Sequence, residues 1–147
     1  MGQSQVEDFL TADEEQQIVA AIRRAEKTTS GEIRVHLEKH TEKDILERAA
    51  EVFHMLKMDN TMQRNGVLIY VAVNDRRFAI YGDKGIDQAV DAHFWEATKD
   101  VILTHFKEGN FTQGLIDGVL LTGKQLQHFF PWNHNDTNEL SDEISKG

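Results

Sequence analysis

Apolar and polar residues alternate without a break from Glu32 to Glu38: Ile33, Val35 and Leu37 fall on one side, Glu32, Arg34, His36 and Glu38 on the other. That period of two predicts a β-strand. Before it, Ile18, Ile22 and Ala25, with Val19 and Ala21 beside them, form a helical stripe. Thr11-Ala12-Asp13-Glu14 reads as its capping box and Thr28-Thr29-Ser30-Gly31 as its stop. Thr41 opens a second helical pattern carried by Ile45, Ala49, Val52, Phe53 and Leu56. Val67 to Val73 is continuously apolar, the mark of a strand covered on both faces. Asn74-Asp75-Arg76 then turns the chain and Phe78-Ala79-Ile80-Tyr81 returns, most simply as a hairpin. Tolerance of positive φ at Asn74-Asp75 accounts for that turn.

Gly82 to Asp91 breaks the third strand and leads into a helical region reaching about Lys107, with Val90, Phe94, Ala97, Val101 and His105 on its inner stripe. Gly109-Asn110 punctuates. Phe111, Leu115, Val119, Thr122 and Leu126 mark a last helix that ends before Pro131. The order α-β-α-β-β-α-α implies a mixed sheet packed between helix layers. Residues 1–131 read as one domain. Residues 132–147 read as an acidic tail, extended or docked, with Leu140 and Ile144 available to pack on the body.

Composition narrows the class. The 147 residues, 39% hydrophobic and 28% charged, suit one ordinary globular domain. A net charge of −9 argues against nucleic acid and anionic membranes, and favours divalent cations or basic protein surfaces. The absence of cysteine removes disulfides, thiolate metal sites and cysteine nucleophiles. The N-terminus has no basic segment followed by an apolar one, and no apolar run approaches the ~20 residues of a membrane span. The expectation is a cytoplasmic protein without membrane insertion, monomeric by default.

Familiar active-site motifs do not fit. Gly82-Asp83-Lys84-Gly85 is not a phosphate loop, and none of Ser4, Ser30, Ser141 and Ser145 sits in a GxSxG turn. His36 and His40 lie on a strand and its exit rather than on one helix face, so a solvated pair is favoured over zinc. The polar face of the first strand is read as solvated at an edge or internally paired beneath a layer.

The acids carry more information. Asp83, Asp87 and Asp91 recur every four residues, on one face of a helix starting at Asp83. Capping and the helix dipole explain Asp83 well and Asp87 in part, but not Asp91 two turns in. If strands one and two are parallel, the hairpin returns Asp83 to the pole where they begin. That pole also receives Glu32, Asn65 and a 57–66 loop with Asp59 and Asn60, whereas Asp75 and Glu38 fall at the other. Oxygen ligands from separate loops are how Ca²⁺ or Mg²⁺ sites are assembled. Ligands of α/β sheets more often sit at the carboxyl ends of parallel strands, which favours the Asp75 pole. The Gly-rich acidic loop decides for the first.

The stretches Phe9-Leu10-Thr11, Ser30-Gly31-Glu32-Ile33-Arg34-Val35, Arg64-Asn65-Gly66-Val67-Leu68-Ile69, Phe78 to Gly85 and Phe106 to Leu115 together resemble the TPM domain, a family named for a thylakoid-lumen protein of photosystem II repair and its relatives. The resemblance runs from about Phe9 to Phe130, and Asn138 to Ile144 resembles the ending of small soluble relatives. It implies a three-layer α/β/α sandwich with a central mixed sheet of about four strands, one more than the pattern supplies. It also implies divalent-metal binding near Gly82–Gly85, with Glu32, Asn65 and Asp83 as the matched polar residues. Asp59, Asp87 and Asp91 are candidates on position alone.

Two functions follow as expectations. The first is a stand-alone TPM domain binding Ca²⁺, or else Mg²⁺ or Mn²⁺. There the ion ties loops 57–66 and 82–91 together and orders a surface for a protein partner. The alternative, implied by the acid phosphatase activity of plant lumen members, is metal-dependent hydrolysis of phosphomonoesters. Arg34 or Lys84 would then clamp phosphate, though no residue is an obvious nucleophile.

Overall fold

The computed structural model describes residues 9–132 and 144–147. Helix α1 spans Ala12–Glu26, and its capping box closes as the sequence indicates: Thr11 Oγ1 accepts from Glu14 N (3.1 Å) and Glu14 Oε1 accepts from Thr11 N (2.9 Å). Strand β1, Glu32–Glu38, pairs in parallel with β2, Gly66–Ala72, and β3, Arg77–Gly82, returns antiparallel to β2. A two-residue strand, β4 (Ser145–Lys146), lies parallel to β1 against His36 and Leu37. The sheet order is β3-β2-β1-β4, a mixed sheet of four strands.

The strand pattern dictates the layers. Ile33, Val35 and Leu37 face one side with Val67, Ile69 and Val71. They pack there on α1, on α4 (Glu96–Lys107) through Ile102, and on α5 (Phe111–Phe129) through Leu115, Val119 and Leu126. Leu68, Tyr70, Ala72 and Ala79 face the other side, beneath Ala49, Val52 and Phe53 of α2 (Ile45–Met55). β2 is therefore buried along its whole length, which is why its residues need not alternate. The α/β/α sandwich is the observed fold.

Four local expectations are corrected. The helical region after Gly82 is two helices, α3 (Lys84–Ala89) and α4, because Val90 is extended (φ −124°, ψ 159°) and Asp91 Oδ1 accepts from His93 N (2.9 Å) to turn the chain. The break rotates α4, so Thr98 and Ile102 face inward while Ala97 is exposed. In the hairpin, positive φ falls on Arg76 (51°) rather than on Asn74 or Asp75. Asp44, not Thr41, caps α2, its Oδ2 accepting from Leu46 N and Glu47 N (3.2 Å each). Of the tail contacts, Ile144 packs on the main core, and Leu140 lies outside the described residues.

The polar face of β1 is internally paired. Glu38 accepts two bonds from Arg48 of α2 (Nε, 2.7 Å; Nη2, 3.1 Å) and one from the Tyr70 hydroxyl (3.1 Å). His36, 5% exposed and stacked on Tyr70, joins Glu38 Oε2 through Nε2 and Ser145 Oγ through Nδ1, both at 3.0 Å. An ionised carboxylate only accepts, so Nε2 carries the hydrogen and the serine hydroxyl donates to Nδ1. This Ser–His–Glu chain is closed on both ring nitrogens, with His36 and Ser145 buried and Glu38 half-buried. It pins β4 to β1, and the ion pair of Lys146 with Glu15 holds the same strand to α1.

Candidate metal centre

The parallel pair and the hairpin bring the expected pole together. Glu32 lies opposite Gly66 and Val67 opposite Gly82, and Asp83 N donates to Gly66 O (3.0 Å). Asp83 is thus held at the mouth of the sheet, 3% exposed, as N-cap of α3. Its Oδ1 accepts from Lys84 N (2.7 Å), and its carbonyl accepts from Ile86 N and Asp87 N. Its Oδ2 is buried and has no hydrogen-bond partner. An ionised oxygen in that position costs free energy unless a cation meets it.

Asp87 is close enough to feel this charge. Burial and then the Asp83 carboxylate push its carboxyl above the usual range. The Tyr81 hydroxyl is raised by burial, Asp83 and Asp87. The sign matters: a raised acid stabilises the fold while protonated, and that contribution is lost as pH rises through its folded value. At neutral pH Asp87 has therefore lost that contribution, and a cation beside it would offset the repulsion from Asp83.

Loop 57–66 reaches this pole through backbone contacts. Gly85 N donates to Arg64 O (2.8 Å), with Arg64 in the left-handed region (φ 52°). A Cβ on Gly85 would fall on the Gln63 carbonyl oxygen and 2.6 Å from that of Arg64. Gly85→Ala is therefore expected to cost about 1–3 kcal/mol, read as a lower midpoint in urea with an unchanged slope.

The remaining candidates are placed unequally. Asn65 is buried, its side-chain amide donating to Ser30 Oγ (3.3 Å) and its carbonyl accepting from Glu32 N (3.3 Å). Glu32 is 3% exposed at the start of β1. Asp59 is engaged by His54 (3.6 Å) and Arg64 (3.9 Å). Asp91 lies beyond the end of α3 and caps its own turn, so the spacing of four does not put it on a face with Asp83 and Asp87. Among the described residues, no three His, Asp or Glu side chains converge as a preformed metal-ligand group. Asp83 and Asp87, the two that sense each other, offer carboxylate oxygens, the donor type a hard cation takes, and the orphaned Asp83 oxygen fits one.

Tyr81 and His54 were not singled out from the sequence. Tyr81 lies two residues before Asp83, near enough to feel its charge, and its ring lies 6.5 Å from that of His54. The i, i+2 relation and the helix carrying His54 are visible in the sequence, but the packing that brings His54 over Tyr81 is not.

The sequence profile of the TPM domain matches residues 4–125. No protein with a curated description matches the chain. Among solved structures, the BA42 protein from the psychrophilic bacterium Bizionia argentinensis sp. nov. is 59% identical, covers 99% of this chain and 100% of its own, and superposes with a TM-score of 0.92. The N-terminal domain of a P. gingivalis protein shares the fold at 20% identity and TM-score 0.69, covering 86% of this chain and 83% of its own. That of the Corynebacterium glutamicum cg2496 protein does so at 11% and 0.64, covering 88% and 84%. With a profile match over most of its length, the chain belongs to the TPM domain family.

Proposed function

We propose that this TPM domain binds a divalent cation, Ca²⁺ before Mg²⁺ or Mn²⁺, at the pole where β1 and β2 begin. The observation that carries the proposal is the buried, unpartnered Oδ2 of Asp83. The raised carboxyl of Asp87 supports it. Asp83 and Asp87 would hold the ion, and Asp59 would join them by giving up His54 and Arg64. Glu32 and Asn65 are the neighbouring oxygen donors, and Asp91 is left to its turn. Ca²⁺ accepts six to eight oxygens in irregular arrangements, which suits ligands from two loops plus water.

The ion would supply charge compensation rather than chemistry. It would fasten loop 57–66 to the α3 start beyond the Gly85–Arg64 bond, and so order the surface for a protein partner. Isothermal calorimetry tests the reading. Saturable Ca²⁺ binding that Asp87→Asn weakens about tenfold or more is expected; heats that never saturate with any of the three cations would refute it. Cation-dependent turnover of a phosphate monoester, abolished in Asp83→Ala, would replace the staple with the hydrolase reading, in which the metal acts as Lewis acid.

A further inference from the structure

The opposite pole carries a separate device. Among the described residues four histidines sit against carboxylates near the surface, His54 with Asp59 at 3.6 Å and three at closer range, and they are built differently. His93 and Glu96 are 78% and 67% exposed, with nothing else holding the glutamate in place. His105 meets Asp117 through Nε2 and is only 26% exposed. His40 meets Asp75 through Nδ1 at 2.6 Å; the ring is 51% exposed, the carboxylate 18%. The second Asp75 oxygen accepts from Thr41 N (3.1 Å). Backbone bonds from Val73 N to Glu38 O (2.7 Å) and from Asn74 N to Lys39 O (2.9 Å) lock the hairpin turn to the strand exit. The aspartate is thus fixed by the fold, and it fixes the imidazole in turn.

The tautomer follows. His40, Thr41 N and Arg77 hold the Asp75 carboxyl below the usual range, so it is an acceptor only. His40 Nδ1 therefore bears the hydrogen, and in the neutral ring Nε2 presents a lone pair to solvent. Such a nitrogen is a metal ligand or a nucleophile. The surroundings choose between them: Lys39, Lys43, Arg76 and Arg77 lie on the same two segments against one fewer acid, Glu42, Asp44 and Asp75. Excess positive charge disfavours a cation and draws in an anion. The dyad also stands at the carboxyl ends of the parallel strands β1 and β2, where α/β sheets usually place ligands.

We propose that His40 Nε2 is a phosphoryl-acceptor site, modified by small donors with a good leaving group such as phosphoramidates, with Asp75 as its positioning residue. In the step, the Nε2 lone pair forms the new N–P bond while the donor's own P–N bond breaks. The donor nitrogen, protonated in the zwitterion, departs as ammonia. The Nδ1 proton stays on the ring, where Asp75 offsets the charge the imidazole acquires.

The test uses the full chain and potassium phosphoramidate, with EDTA present so that it is independent of the cation site. Phosphorylation is then resolved residue by residue over the seven histidines. His40 is expected to react about tenfold faster than exposed His54, His93 and His128, and Asp75→Asn to remove that advantage while leaving the other three unchanged. His40→Gln is expected to abolish the fast phase. Equal rates at all exposed histidines, or a His40 rate indifferent to Asp75→Asn, would overturn the proposal. A fold lost in the variant would show itself as faster reaction at buried His36, so the two failures are distinguishable.

Discussion

Asp83→Asn is expected to leave the cation-free protein as stable as the wild type, or more so, while abolishing its stabilisation by Ca²⁺. Asparagine is as good an N-cap as aspartate, so the bond from Lys84 N survives. What disappears is a buried negative charge whose second oxygen has no partner, and with it the repulsion felt by Asp87. Removing an unpaired buried charge outweighs burying one neutral, unsatisfied amide NH₂ group. With Ca²⁺ the sign reverses. A ligand at one hundred times its dissociation constant stabilises the native state by about 2.7 kcal/mol. For a chain of this size that is a rise in Tm of roughly 10 °C. The wild type should show that rise over EDTA, and Asp83→Asn should not. A variant that is strongly destabilised in EDTA would mean that the aspartate is structural.

Glu38→Ala is expected to cost about 1.5–3 kcal/mol, the range for losing charge-assisted hydrogen bonds at a half-buried ion pair. It removes the shared acceptor of Arg48 Nε and Nη2, the Tyr70 hydroxyl and His36 Nε2 at once, leaving Arg48 only Glu51 as an ion-pair partner among the described residues. Because His36 also holds Ser145, the variant should expose the β4 segment to proteolysis before the body melts. The same network sets the acid limit of the fold. Burial opposes the Glu38 charge, but Arg48, His36 and Tyr70 outweigh it and keep its carboxyl below the usual range. Burial pushes His36 below its ordinary value of 6.5 despite Glu38. Both groups are depressed in the folded state, so each contributes stability that is lost as pH falls. His36 acts first, from about 6.5 downward, and Glu38 follows below the ordinary carboxylate value of 4.5. Urea midpoints measured from pH 7 to 3 should fall in two stages, and His36→Gln should remove the upper one.

These effects mark how far the sequence could be read. Strict alternation placed β1 from Glu32 to Glu38 to the residue, because one face had to be apolar. The same alternation could not say that Arg48, eleven residues beyond Leu37, would come down on Glu38. Packing of α2 across the sheet decides that, and no local period encodes it. β4 escaped for a related reason: two residues have no periodicity, and their strand character comes entirely from the edge of β1. The pole with Asp83 was legible through topology, since a parallel crossover followed by a hairpin leaves one arrangement. The helix face shared by Asp83, Asp87 and Asp91 does not form because a spacing of four is informative only while the helix continues, and α3 ends at Ala89. The His40–Asp75 pair spans 35 residues and became visible only when the hairpin met the exit of β1.

The central claim is a divalent cation at the Asp83 pole, and an amide NMR titration with Ca²⁺ tests it most directly. Saturable shifts that share one binding curve are expected at Asp59 to Gly66 and at Asp83 to Asp87, with the Lys39–Thr41 and Asp75 pole unmoved. Shifts that never saturate, or that are confined to the acidic residues after Trp132, would contradict it.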